Sequence, residues 1–347
     1  MNGKLKTILL PVVMLVFAFV FASVLMRLTG NNPLLAFGAM IQGAFGNPSA
    51  IINTLNRAVP ICICAFAVSF TRECGIFNIG IEGQLMIGAL GSTIAGIYIT
   101  GLPLAVHLPL TLIVGMLFGM IWAALPAAMF IERKVNIIVL FLFMNNIASY
   151  ILQYFIFGPM KGAGAAMPST DLIQESARFP YLITSPNKLS TAFFLVFAVA
   201  AILYVYIHKT FGGYELRATG KNRVAARYAG IPVKKYMYLS VLGPGALAGL
   251  AGSIEIQSKY FRLIDGFSPG YGWDGIPIAL LSNGNPVAII LGSILFAAMH
   301  VGSSNMQMQA GVSSLIVEVI QGFLVLSVAM ERFYRYILSR PGRKKEG

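Results

Sequence analysis

Two glycine-rich segments interrupt the apolar sequence and carry most of the side chains that could bind a polar molecule. Residues 74–84 read CGIFNIGIEGQ, and residues 270–277 read GYGWDGIP. Amides and carboxylates can hydrogen-bond to a small polar solute, and an indole can stack against it. These residue types therefore indicate a binding site. With three asparagines from elsewhere in the chain, the candidate substrate-pathway residues are Asn78, Glu82, Gln84, Asn145, Asn146, Trp273, Asp274 and Asn283.

Several of these candidates also have a structural interpretation. A carboxylate within a membrane span costs about 2.5–3.5 kcal/mol on insertion scales, so Glu82 requires a partner or a watery cavity. Glu82 therefore either contacts the solute or braces a broken helix by accepting backbone N–H groups. Asn145 and Asn146 either line the pathway or form hydrogen bonds between helices. The sequence leaves both alternatives open.

Catalytic chemistry has little support in this sequence. None of the three histidines, His107, His208 and His300, is separated from Asp, Cys or Ser by the spacing of a metal site or a nucleophilic triad. The three cysteines lie in or beside one apolar stretch, without a companion ligand. No glycine-rich loop ends in Gly-Lys-Ser/Thr, so ATP binding by that route is excluded. We predict no catalytic residue, no metal ligand and no cofactor bound by this chain, with an intramembrane enzyme as the alternative.

The composition indicates that lipid is the solvent for much of the chain. Of 347 residues 57% are hydrophobic and 11% are charged, and the mean hydropathy is +0.77. Ordinary soluble domains carry about 25% charged residues. The net charge of +13 is concentrated at the ends of apolar runs, a pattern typical of cytoplasmic loops and not of nucleic-acid binding. We predict an all-α, polytopic transmembrane helical bundle of about 8–10 spans, forming a single transmembrane domain over 1–347.

Apolar runs of about 20 residues predict where the chain crosses the bilayer. The stretch 50–71 is interrupted by polar residues and a proline, so we expect its first part to be interfacial or to line a cavity. The two glycine-rich segments predict broken or re-entrant helices, since irregular backbone at membrane depth must line a cavity or be buried in protein. Two pseudo-repeat halves, about 1–158 and 189–331, are plausible on hydropathy. The clear spans are 8–27, 107–131, 136–158, 189–208, 236–256 and 312–331.

Charge asymmetry predicts the orientation. Residues 209–235 contain seven Lys or Arg against one acid, so this loop is predicted to be cytoplasmic and 159–188 external. Both termini are then cytoplasmic. Within the loop we predict a short helix from about Asn222 to Tyr228, ended by Gly230 and Pro232. Such a helix either docks into a partner protein or belongs to a solvated loop.

Long motifs in this chain resemble the membrane subunits of ribose-permease-like ABC transporters, the class of branched-chain amino acid and simple-sugar permeases. Residues 213–231, GYELRATGKNRVAARYAGI, are similar to the coupling loop of that family. Residues 74–89 resemble its N-terminal hallmark, and 271–281 with 319–326 resemble its C-terminal half. The glutamate-glycine-glutamine form at 82–84 and the Trp273-Asp274 pair are most similar to nucleoside-importer permeases.

The resemblance implies a fold similar to the type II ABC importers, and a permease that imports nucleosides across a bacterial cytoplasmic membrane. A ribose or other simple-sugar importer is the alternative. The implied partners are an ABC ATPase that carries ATP and magnesium, a second and related permease chain, an extracytoplasmic binding protein or lipoprotein, and the bilayer, but no nucleic acid. The implied ATPase-coupling residues are Glu215, Arg217, Gly220, Asn222, Arg223, Arg227 and Gly230.

Two classes of membrane protein without an ATPase remain as alternatives. An ion-coupled secondary transporter needs only one membrane-embedded acid, and the sequence offers several. A membrane scaffold would show no dependence on substrate. Both would function without an ATP-hydrolysing partner, which separates them from the importer.

Overall fold

The computed structural model describes residues 3–162, 167–185 and 187–329. A 3-10 turn lies at Glu175–Ala177, a π-helical turn at Ile256–Tyr260, and two short antiparallel strands, β1 (Tyr181–Ile183) and β2 (Leu189–Ser190), form a hairpin. The α-helices in the described ranges are α1 (Gly3–Leu28), α2 (Pro33–Phe45), α3 (Pro48–Glu73), α4 (Ile81–Tyr98), α5 (Leu104–Arg133), α6 (Ile137–Phe157), α7 (Phe193–Lys209), α8 (Phe211–Lys221), α9 (Arg223–Tyr228), α10 (Val233–Glu255), α11 (Tyr271–Ser282), α12 (Pro286–Ala310) and α13 (Leu315–Ala329).

The all-helical polytopic fold predicted from composition is confirmed. Five helices in the described ranges are long and apolar enough to cross a membrane: α3, α5, α6, α10 with its π turn, and α12. Helices α7 and α8 meet at a 73° bend and would make a sixth span if they are counted as one. The predicted total of about 8–10 spans requires further apolar helices, such as α1, α4 and α13, to cross as well.

Asparagine side chains begin five of these helices. The first N–H groups of a helix have no partner within the helix, and an Asn side chain before it can accept one of them, which contributes about 1 kcal/mol. Proline follows directly in α2 and α3, where its fixed φ suits the first turn. The capping residues are Asn32, Asn47, Asn136, Asn222 and Asn285.

The chain divides into two compact units. The smaller unit comprises, among the described residues, 3–46 and 298–329. In it, α1 packs against α13, where the rings of Phe21 and Phe323 lie 3.9 Å apart. The amide of Asn305 donates to the carbonyl oxygen of Ala39 at 2.7 Å, which joins α12 to α2.

The larger unit, Asn47–Ala297, is built around α3, α4, α5 and α10. Glycines let three of these helices approach backbone to backbone: Gly88 of α4 and Gly115 of α5 both lie against Gly249 of α10. We call these three residues the glycine seam. Small residues at such crossings are the usual means of packing helices in lipid, because no hydrophobic force drives apolar helices together there.

The two ends of the larger unit differ in character. At one end, which we call the hairpin end, residues 167–185 and 187–191 pack over the helix ends, with backbone bonds from Gln174 to Gly96 and from Phe179 to Gln257. At the opposite end, which we call the basic end, α8 lies against the end of α3, with Gly220 packed on Glu73, and α9 lies against α8 and α10. Residues 209–235, predicted to be a cytoplasmic loop, therefore form a structured part of the unit.

Candidate functional site

The two glycine-rich segments meet inside the larger unit, where the N-termini of α4 and α11 face each other. Glu82 lies in the first turn of α4 and is 4% exposed. One of its carboxylate oxygens accepts the backbone N–H of Gly272 in the first turn of α11 at 2.7 Å. The other accepts the hydroxyl of Ser268 at 2.5 Å. We call Glu82, Ser268 and Gly272 the junction.

Helix dipoles and close packing make the junction specific for these residue types. The N-terminus of a helix carries a partial positive charge, so a carboxylate between two such termini is stabilised by both. A Cβ at Gly272 would lie 2.5 Å from the backbone nitrogen of Glu82 and 2.7 Å from its Cα. Glycine is therefore required at this position, and the approach of the two helices depends on it.

The junction lies deep within the unit. Helix α11 has 12 residues, or about 18 Å of rise, roughly half of a hydrocarbon core of about 30 Å. Its Gly275 packs against Cys64 and Ala65 of α3, and Arg72 near the end of α3 donates to the carbonyl oxygen of Ala279 at 3.2 Å. Helix α11 thus runs alongside α3 to the basic end and begins near the middle of the bundle, as a broken span would.

Three of the predicted pathway residues brace the break before α4. Asn78 accepts the backbone N–H of Gly80 at 2.8 Å and donates to the side chain of Gln84 at 3.3 Å. Asn145, from α6, accepts the N–H of Gly83 at 2.9 Å and donates to the carbonyl oxygen of Ile79 at 2.9 Å. The interhelical interpretation of Asn145 therefore describes the hydrogen bonds that this side chain makes.

We expect an Asn145→Leu substitution to destabilise the protein. It leaves the N–H of Gly83 and the carbonyl of Ile79 buried without their side-chain partner, and each unpaired buried group costs about 1–3 kcal/mol. The melting temperature of the purified chain in detergent should fall. Asn146→Leu is the matched control, because the exposed Asn146 only donates to the carbonyl oxygen of Leu142 within its own helix. Equal melting temperatures for the two variants would contradict the bracing role.

The remaining predicted pathway residues lie in different places, and only some of them are near the junction. Asp274 is buried in the first turn of α11, next to the junction. Trp273 is 43% exposed and so presents part of its indole outside the unit. Asn283 lies at the far end of α11, where it accepts a hydrogen bond from Arg72 at 2.9 Å and adopts a left-handed φ of +48°. The structure thus places Asn283 at the basic end.

A second polar cluster lies beside the junction and was not among the predicted site residues. Glu255, 2% exposed at the end of α10, accepts the hydroxyl of Tyr271 at 2.7 Å and the ammonium of Lys259 at 2.9 Å. The guanidinium of Arg57 lies 5.7 Å from the centre of the Tyr271 ring. The spacing of Glu255 and Lys259, four residues apart at the end of an apolar run, was the available sequence signal.

Two buried glutamines near these clusters have unpaired amide atoms. The side-chain nitrogen of Gln84, and both amide atoms of Gln257 in the π turn, are buried without a hydrogen-bond partner among the described residues. Unpaired buried polar groups are costly, and π turns are frequent at functional sites. These amides could hydrogen-bond to water or to a polar solute.

The predicted short helix in the basic loop is confirmed as α9. Asn222 caps it, accepting the N–H groups of Val224 and Ala225 at 3.0 Å each, and Gly230 follows it with a φ of +79°. The side chains of Tyr228 and Val224 are 90% and 65% exposed. Because these two residues are four apart, they present one apolar face away from the unit.

The other predicted coupling residues attach this segment to the bundle. Glu215 of α8 accepts a hydrogen bond from the hydroxyl of Tyr236 in α10. The guanidinium of Arg223 lies 5.8 Å from the centre of the Phe130 ring in α5. Gly220 packs so closely on Glu73 that a Cβ would overlap the Glu73 carbonyl oxygen.

Two predicted coupling arginines make smaller contributions within the chain. Arg217 donates to the carbonyl oxygen of Gly213 at 3.3 Å, and one of its Nη atoms lies 3.4 Å from the ring of His208. Arg227 is exposed, and its backbone carbonyl accepts the N–H of Gly230 at 3.0 Å. The guanidinium of Arg227 is therefore at the surface of the basic end.

Comparison with known proteins gives related membrane transport subunits over nearly the whole chain. The guanosine ABC transporter permease protein NupP of Bacillus subtilis is 30% identical over 349 residues, covering 99% of each chain. The glucose ABC transporter permease protein TsgB13 of Haloferax volcanii is 33% identical, covering 94% of this chain and 88% of its own. The nucleoside ABC transporter permease protein NupB of Lactococcus lactis is 26% identical, covering 98% and 95%.

No solved structure matches the chain significantly. The family model described as branched-chain amino acid transport system / permease component matches residues 50–329, which include the junction, α8 and α9. With this match and with permease relatives along the full length, the chain belongs to that family of ABC transporter permease components.

Proposed function

We propose that this chain is the membrane-spanning subunit of an ATP-driven importer of nucleosides in a bacterial cytoplasmic membrane. The junction carries the proposal, because two broken elements whose helix N-termini meet at a buried carboxylate are typical of a solute site at membrane depth. The guanosine and nucleoside permeases among its relatives support nucleosides as the substrate. A simple sugar is the second candidate, since a similar relative is a glucose permease.

The residues around the junction suit a nucleoside, which presents hydroxyls, ring nitrogens and a flat base. Gln84 and Gln257 have unpaired amide atoms that can hydrogen-bond to hydroxyls or ring nitrogens. The indole of Trp273 is partly exposed and offers a surface for stacking. Most other polar groups at the junction already have partners within the protein, so binding there would be weak enough for release.

The partners proposed with this function act at the two opposite ends of the larger unit. An ATPase subunit that binds ATP and magnesium docks on α9 at the basic end, which is therefore cytoplasmic, as are both termini. An extracytoplasmic binding protein or lipoprotein delivers the solute at the hairpin end. A second and related permease chain completes the pathway. The ATPase moves α9 when it changes between its two states. This movement then has to shift the equilibrium between two states of the permease.

Contacts on the described residues offer a route from α9 to the junction. Helix α8 precedes α9, and its Gly220 lies on the backbone of Glu73 and Cys74. The chain continues from Cys74 through the non-helical stretch into α4 and Glu82. In parallel, Arg72 holds α11 by its bonds to Ala279 and Asn283. A displacement of α8 would therefore reach both sides of the junction.

Uptake measured with a variant of the exposed face of α9 tests this proposal. We expect a Val224→Asp/Tyr228→Asp double variant to reach the membrane at normal levels, because neither side chain is buried within the chain. Guanosine uptake should fall at least about tenfold, since a charge in a buried apolar interface costs more than 1.4 kcal/mol. Labelled guanosine, ribose and glucose uptake is measured in cells that lack the gene and are complemented with each variant.

Lys235→Glu is the matched control, because Lys235 is exposed at the same end of the unit but lies in the first turn of α10, outside α9. It should restore uptake to the wild-type level. Loss of glucose or ribose uptake instead of guanosine uptake would keep the importer and replace the substrate. Full uptake by the double variant would contradict docking on α9 and favour a transporter that works without an ATPase.

A further inference from the structure

A cationic cavity lies at the basic end of the larger unit, between the ends of α3, α8 and α11. It has a volume of about 220 Å³. Its lining includes three basic side chains, Arg72, Arg217 and Lys221, against a single acid, Glu73, together with Ser69. The formal surplus of two positive charges makes it a site for an anion.

An apolar groove adjoins this cavity. The groove is formed by α7 and the start of α12, has a volume of about 580 Å³, and is lined by Ala200, Tyr204, Val287 and Ile290. It shares Asn283 and Gly284 with the cavity, so the two spaces meet at the turn between α11 and α12. An apolar groove on helices that span a membrane is open to acyl chains.

The two arginines of the cavity are held in place by bonds within the chain. Arg72 donates to the Ala279 carbonyl at 3.2 Å and to the Asn283 side chain at 2.9 Å. Arg217 donates to the Gly213 carbonyl at 3.3 Å. A guanidinium has five N–H donors, so each arginine keeps donors for an anion while losing little conformational freedom on binding.

We propose that the cavity and the groove together bind one phospholipid with an anionic headgroup. The headgroup phosphate lies in the cavity, where Arg72, Arg217 and Lys221 donate to its oxygens, and an acyl chain lies in the groove between α7 and α12. Basic pockets between transmembrane helices at the cytoplasmic surface bind anionic headgroups in this manner. The site also borders Gly220 and Glu73, so the lipid contacts the route between α9 and the junction.

Lipid retention by the purified, delipidated full chain tests the proposal. Native mass spectrometry compares binding of dioleoylphosphatidylglycerol, which is anionic, with dioleoylphosphatidylcholine, which is zwitterionic. We expect the wild type to retain phosphatidylglycerol preferentially. Lys221→Gln removes one cavity charge from an exposed side chain and should weaken this retention about fivefold. Val287→Asp places an acid in the groove and should weaken retention as well.

Lys235→Gln is the control, because it removes the same charge at the same end without lining the cavity. Gel filtration and the melting temperature establish that each variant is folded. Unchanged preference in Lys221→Gln, or an equal loss in Lys235→Gln, would overturn the site. Competition by millimolar inorganic phosphate, with no effect of Val287→Asp, would show that the cavity binds a free anion and would overturn the lipid assignment.

Discussion

A Gly249→Val substitution is expected to prevent the larger unit from forming its native core. A Cβ at this position would overlap the carbonyl oxygen of Gly115 and lie 3.2 Å from the Cα of Met116. On another side, Gly88 of α4 already touches Gly249. Both neighbours are backbone atoms, which cannot move aside as a flexible side chain would. The substitution therefore has to separate α10 from α4 and α5.

The expected loss of stability in Gly249→Val is large because the obstructing atoms belong to the backbone. Overpacking a well-packed core costs about 1–3 kcal/mol even where side chains can adjust. Here the obstruction is backbone, so we expect the upper end of that range or more. The yield of monodisperse protein in detergent should collapse, or its melting temperature should fall by at least about 5 °C.

Gly243→Val in the same helix is the matched control. The nearest atom to a Cβ at Gly243 is a ring carbon of Phe70 at 3.6 Å, an ordinary contact distance. The two variants add the same side chain to the same helix and have the same effect on helix propensity. If both variants lose stability equally, the glycine seam does not hold the three helices together.

Local sequence signals were sufficient for α9 and for the two breaks. The sequence predicted a short helix that starts at about Asn222 and ends before Gly230 and Pro232. In the folded chain the Asn222 side chain caps the start of this helix, and Gly230 follows its end with a positive φ. Glycines with an acid in apolar sequence correctly indicated a helix break at each segment: the backbone is non-helical over 74–80, and α11 begins at Tyr271 after the non-helical residues 261–270. These predictions succeeded because the residues that decide them are close together in the chain.

Long-range partners explain what the sequence did not reveal. The first part of 50–71, which we expected to be interfacial or to line a cavity, belongs to α3, and this helix is continuous from Pro48 to Glu73. Two of its polar residues are paired with the hairpin end: Asn56 donates to the carbonyl oxygen of Lys188 at 2.8 Å, and Asn53 accepts from Asn187 at 3.0 Å. These partners lie more than 130 residues away, so hydropathy in a local window could not indicate them.

For the candidate site too, the sequence indicated local requirements but did not reveal the long-range partners. That Glu82 needed a partner followed from the cost of an acid at membrane depth. Which partner it has could not be derived, because Ser268 and Gly272 are far away in sequence. Asn283 was grouped with the pathway by residue type alone, and its bond to Arg72 at the basic end depends on the path of α11.

Glu82→Ala is expected to abolish most transport by separating the two broken helices. It removes the acceptor for the Gly272 N–H and for the Ser268 hydroxyl, both near a carboxylate that is almost fully buried. Hydrogen bonds to charged groups contribute about 1.5–3 kcal/mol each, so the loss of both costs about 3–6 kcal/mol. Guanosine uptake per membrane-inserted molecule should fall at least about tenfold.

Glu82→Gln separates bracing from direct contact with the solute. Glutamine keeps an oxygen that can accept from Gly272, so a bracing role predicts an intermediate melting temperature and an unchanged KM for guanosine. A direct contact predicts the opposite: a raised KM with an unaltered melting temperature. Glu132→Gln controls for the loss of an acid, because Glu132 pairs with Lys234 at the end of α5 with both side chains largely exposed. Since both oxygens of Glu82 already have donors within the chain, we expect the melting temperature to change and the KM to stay the same.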